Sequence, residues 1–95
     1  MEITEVKVYP SQENGRLKAY ATIVFENSFI IRDLKVIEGV KGLFVSMPSR
    51  RRKDGTFRDI VHPLNADMRK NIEERIVLEY NNIIQSGIIP VDNND

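Results

Sequence analysis

The segment from Ser49 to Arg58 (Ser-Arg-Arg-Arg-Lys-Asp-Gly-Thr-Phe-Arg) carries the strongest chemical signal in the chain. Five basic residues, Arg50, Arg51, Arg52, Lys53 and Arg58, stand against the single acid Asp54, a local charge of +4. Three consecutive arginines cannot pair with one another; they point different ways and repel. Each guanidinium offers a rigid fork of donors that matches a phosphate. Release of counterions from a polyanion adds affinity. Arg69 and Lys70 lie just inside a predicted helix and extend the cluster. The competing reading is plain solvation, with the charge serving a turn or guarding an edge strand. In that reading Arg69 and Lys70 form ordinary i,i+4 pairs with Glu73 and Glu74.

The remaining chemistry is thin. Asp59 and His62 are close in sequence, with Ser46 and Ser49 nearby. A nucleophilic site also needs an oxyanion pocket, and no nucleophile-elbow glycines flank either serine. Asp59 and His62 are expected instead to hydrogen-bond backbone groups at a strand-to-helix junction. His62 is the one histidine and cysteine is absent, which closes disulfide, thiolate and ordinary zinc chemistry. The five glycines are spread out, and none forms a phosphate loop. The residues predict no enzymatic role, no metal and no cofactor.

Positioning these residues falls to a single domain of 95 residues. Apolar residues make up 41% and charged residues 29%, values that suit a packed domain and argue against wholesale disorder. Fourteen basic side chains balance fourteen acidic ones, yet Asn71 to Asp95 sums to −4, so a neutral total hides a polarised molecule. The apolar runs are too short to span a bilayer and no secretory signal opens the chain, which makes a cytoplasmic protein with no membrane partner the expectation.

The first two-thirds reads as strands over 3–9, 16–25, 29–37, 43–47 and 56–61. In the second, Leu17, Ala19, Ala21, Ile23 and Phe25 share one face. Asn14-Gly15 marks a turn. Phe29-Ile30-Ile31 suggests burial on both faces. Gly39 and Gly42 suit positive φ in the next turn. The period then changes, with Met68, Ile72, Ile76, Tyr80 and Ile83 or Ile84 recurring at helical spacing. Asn65 is the expected N-cap, Gly87 the C′ residue and Pro90 a stop, giving a helix over about 66–85.

The resulting expectation is an α+β fold, a five-stranded antiparallel β-meander with one long C-terminal helix packed on it. Five strands are about 24 Å wide and a helix is about 10 Å across, so one helix covers neither face of a flat sheet. Tyr20, Val24, Phe44 and Ile60 keep the second face partly apolar. Either the sheet curls or a second subunit covers it, and a homodimer is the expected solution. Residues 1–87 form the domain and 88–95 a short tail.

Four segments resemble the bacterial SpoVG family of septation and sporulation regulators. They are Gly-Arg-Leu-Lys-Ala (15–19), Phe-Ile-Ile-Arg-Asp-Leu-Lys-Val-Ile-Glu-Gly (29–39), Gly-Leu-Phe-Val-Ser-Met-Pro-Ser (42–49) and Asp-Gly-Thr-Phe-Arg-Asp-Ile-Val-His-Pro-Leu-Asn (54–65). The resemblance covers roughly residues 1 to 80, with 42–65 its most specific part. It implies a small dimeric regulator that binds DNA, in some members RNA, and influences septation, sporulation or envelope genes. It places nucleic-acid contact at Arg50 and Arg51 and at the helix start, 66–71, which includes Arg69 and Lys70. Family members commonly carry Thr-Pro where Arg52-Lys53 stands, so this loop is expected to be more basic and more flexible. Many carry a longer acidic tail; here Ser86 to Asp95 is short, partly apolar and expected to dock on the partner subunit. The alternative is a regulator that binds a protein of the division machinery, through its apolar sheet face or acidic helix surface, and touches no nucleic acid.

Overall fold

The computed structural model describes residues 1–12 and 15–87. Asn14 of the expected turn and the tail 88–95, with its expected docking, lie outside them. The elements in chain order are β1 (Ile3–Pro10), β2 (Leu17–Phe25), β3 (Phe29–Gly39), β4 (Gly42–Ser46), β5 (Ser49–Arg51), β6 (Phe57–Asp59) and α1 (Ala66–Ser86). The fold is α+β. Strands β1 to β4 form an antiparallel meander, and β5 and β6 pair in a separate two-stranded sheet.

This corrects the expected single five-stranded sheet. The chain leaves the meander at Met47-Pro48, both buried. The segment expected as a loop supplies a strand of its own, Ser49–Arg51, which takes β6 as its partner.

The core follows the period-2 face of β2. Ala19, Ala21, Ile23 and Phe25 are buried, joined by Val8, Leu34, Val36 and Val45 from the other strands. Ile72, Ile76 and Ile83 close it from α1, with Met68 and Tyr80 at the margin. The helix caps are as expected. Asn65 Oδ1 accepts from the Met68 N–H at 2.8 Å. Gly87 adopts φ 73° and its N–H bonds the Ile83 carbonyl.

One helix suffices on the inner face because the sheet curls. Four strands are about 19 Å across and would outreach a helix about 10 Å wide if flat. Instead α1 packs against β1 and β4, the two outer strands. Three register shifts drive the curl, since each bulge adds local twist. The shift between Ala21 and Ile23 puts Asp33 at φ 65° in β3. The helix also reaches both outer strands through one hydrogen bond each. Arg75 Nη1 donates to the Ile3 carbonyl at 3.3 Å, and the Val45 N–H donates to Glu73 Oε2 at 3.5 Å.

The outer face has no covering element among the described residues. Tyr20, Ile30 and Phe44 are 43%, 46% and 41% exposed there. The register sets Val24 opposite Ile30 and Ile37 opposite Phe44. Phe29 is 62% exposed, so the Phe29–Ile31 run is not buried on both faces as expected; only Ile31 packs against the core. The two expected glycine roles also separate. Gly42 takes φ 122°, whereas Gly39 is kept small by the Phe44 ring, which comes within 2.9 Å of where its Cβ would stand.

Candidate nucleic-acid interface

The basic segment is an ordered hairpin. Gly55 N–H bonds the Arg52 carbonyl at 3.0 Å, and Arg52 N–H bonds the Thr56 carbonyl. Gly55 sits at φ 89°, so a tight turn over Lys53-Asp54 ends in a left-handed glycine, a common three-residue hairpin loop. The Asp54 carboxylate accepts from the Thr56 N–H at 3.0 Å and from its hydroxyl at 2.7 Å. These bonds hold the Asp54 carboxyl below the usual carboxylate range, the hydroxyl contributing most. The Arg52-Lys53 stretch, expected to be more flexible, is spanned by these turn hydrogen bonds. The Asp54-Gly55 pair, a strong hairpin signal, is what a loop reading overlooks.

Register divides the cluster between two faces. Arg50 stands directly opposite Arg58, and Arg51 opposite Phe57. Residues alternate along each strand, so Arg50 and Arg58 share one face while Arg51 and Phe57 share the other. Arg50, Arg52, Arg58, Asp59 and Ile60 line one hollow of about 400 Å³. Ile60, expected on the second face of the main sheet, belongs to this hollow. All strand residues of the hairpin are exposed.

Like charges directly opposite on a ladder repel. Among the described residues no ion pair relieves this repulsion. Among the described residues the ion pairs are Lys7–Glu5, Lys18–Glu38, Lys70–Glu74 and the N-terminal amine with Glu26. None involves Arg50, Arg51, Arg52, Lys53 or Arg58. The single acid of the tip, Asp54, is committed to Thr56.

Arg69 and Lys70 fall in the opening turns of α1 and are exposed. Lys70 reaches Glu74 at 4.0 Å, the expected i,i+4 pair. The matching Arg69–Glu73 pair is not formed, because Glu73 turns to the β4 edge. Arg69 thus makes no ion pair among the described residues. His62 is exposed, with Nδ1 3.0 Å from the Pro63 carbonyl. That is the backbone contact expected of it; Asp59 makes no such bond and belongs to the hairpin. Phe57, 69% exposed, was not among the expected site residues. Its alternation with Arg58 and its place two residues past Gly55 mark it as a hairpin side chain once the turn is recognised.

The architecture is thus a curled sheet sealed by one helix, carrying a basic hairpin that projects from it. The family model SpoVG matches residues 1–82. A relative from Anaeromyxobacter sp. (strain K) is 56% identical over 87 residues, covering 92% of this chain and 85% of its own. One from Bdellovibrio bacteriovorus is 56% identical over 86 residues, covering 90% and 79%. An archaeal one, from Archaeoglobus fulgidus, is 52% identical over 79 residues, covering 83% and 93%. Each bears the name "Putative septation protein SpoVG". The chain belongs to the SpoVG family. No helix among the described residues is long and apolar enough to cross a membrane.

Proposed function

We propose that this chain is a cytoplasmic, non-enzymatic, dimeric nucleic-acid-binding regulator, acting on septation, the role its relatives' names print, or on sporulation and envelope gene expression, which the family resemblance implies. One observation carries the reading. Arg50 and Arg58 face each other across a ladder, beside Arg52, around a hollow that Asp59 also lines, and among the described residues no carboxylate forms an ion pair with any of the three. A phosphate there replaces repulsion with charge-assisted hydrogen bonds. Arg51 and Lys53 add contacts at the other face and the tip. Arg69, beside a helix N-terminus that itself favours anions, and Lys70 supply a second contact region. Hairpin arginines on phosphates position the chain; discrimination between sequences falls to side chains that reach bases.

Binding of DNA and RNA across a salt series tests this, comparing the wild type with Arg50→Ala/Arg58→Ala. The variant is expected to lose affinity with its melting temperature unchanged or slightly raised. Four phosphate contacts per dimer correspond to a slope of log affinity on log salt of about −3.6 on duplex DNA, and the variant flattens the slope by that amount. Absence of wild-type binding at low salt overturns the proposal.

The second reading is a protein-interaction regulator of the septum. The uncovered outer face with Tyr20, Ile30 and Phe44 favours it. In the first reading the same face joins two copies into the dimer.

A further inference from the structure

We propose that the hairpin grips a single-stranded nucleic acid, with one base stacked on Phe57 and the flanking phosphates held by arginines on both faces. The inference rests on the nucleic-acid reading above and narrows it to a substrate class.

Phe57 lies on a three-residue strand whose residues are all exposed, and it is absent from the core cluster. Its ring, 69% exposed, gains little from burial among the described residues. Its ladder partner is Arg51, and directly opposed residues hold their Cβ atoms about 5 Å apart. A phenyl ring and a guanidinium are both planar groups on which a base stacks, and every base has such a face to offer. The opposite side of the same ribbon carries the Arg50, Arg52 and Arg58 hollow. Recognition chemistry therefore stands on both faces of a hairpin that projects from the fold.

This arrangement discriminates between strand and duplex. A duplex groove admits a two-stranded ribbon but presents its base edges to one face of it. Within a duplex, moreover, each base face is covered by its neighbour in the stack. A single strand is flexible enough to follow the ribbon round. One unstacked base then lies on Phe57 beside Arg51, and the adjoining phosphates reach the arginine hollow. DNA and RNA single strands share the needed features, a free base face and a phosphate on either side.

The probes are a short labelled deoxythymidine strand, the same strand with abasic sites, its uridine counterpart and a duplex of equal length, read by fluorescence anisotropy. The wild type is expected to bind both single strands more tightly than the duplex at one salt concentration, and the abasic strand less tightly than the intact one. Phe57→Leu is expected to weaken single-strand binding by about tenfold, leave duplex binding and the salt slope unchanged, and recover with Phe57→Trp. Phe57→Leu binding the single strand like the wild type overturns the inference while leaving the phosphate reading intact. Loss confined to the duplex overturns it in favour of groove insertion. A change in oligomeric state with binding preserved overturns it too, placing Phe57 between copies. Failure of the wild type to bind any probe removes the nucleic-acid reading itself.

Discussion

Asp54 shows how one side chain fixes a hairpin tip. Its carboxylate takes two hydrogen bonds from Thr56 and closes the tip that carries Lys53 and the arginines. Its lowered pKa follows from those bonds, since they favour the charged form. A carboxyl depressed in the folded hairpin contributes order above its unfolded value, about 3.9, and that contribution is lost as pH falls through the lower folded value. Acid is therefore expected to loosen the tip only below pH about 4. An NMR titration of the Thr56 amide should show its midpoint under the ordinary aspartate range, and Thr56→Val should move the Asp54 midpoint back up. A titration midpoint at the ordinary value in the wild type would contradict the hydrogen-bonded turn. At neutral pH Asp54 stays ionised but committed, which leaves the neighbouring cations free for an external anion.

At the level of elements, α1 does three jobs with one amphipathic stripe and two charged side chains. Ile72, Ile76 and Ile83 fill the concave face of the sheet, while Glu73 and Arg75 tie off its outer strands. Ile76→Ala is expected to cost about 3 kcal/mol, through lost transfer energy and the cavity left behind. Asn65→Ala is expected to cost about 1 kcal/mol through the unsatisfied Met68 N–H. Denaturant unfolding followed by circular dichroism ranks the two; equal effects would mean that the helix is held by local capping more than by packing. Both residues are legible in the sequence, because capping and helical periodicity are local properties. The bulges are not. Asp33 at positive φ follows from the way β3 must bend to keep Leu34 and Ile31 facing inward against β2, a demand set by the neighbouring strand.

On the scale of the whole molecule, the helix covers one face of the sheet, and no other described element covers the second. The curl satisfies the inner face without a partner, so the case for a dimer rests on Tyr20, Ile30 and Phe44 outside. Sedimentation is expected to give twice the 11.0 kDa chain mass at micromolar concentration, and Phe44→Glu to shift the equilibrium toward the single chain. A wild type that sediments as one chain would leave the outer face to another protein, as the second reading requires. A dimer presents two basic hairpins, and binding through both raises avidity by effective concentration where a nucleic acid spans them.

The amino-acid order alone determined the α+β class, an antiparallel meander though not its strand count, the helix and its caps, and the basic segment. Those features depend on short-range alternation, helical period and local charge, which the chain carries wherever it goes. Only tertiary structure decided that the segment is a two-sided hairpin apart from the main sheet, that Arg50 opposes Arg58 and Arg51 opposes Phe57, and that Glu73 turns to β4 and not to Arg69. Each of these depends on which residues meet across a ladder or a packed interface, and such meetings are set by register and curvature, to which no local stretch of residues has access.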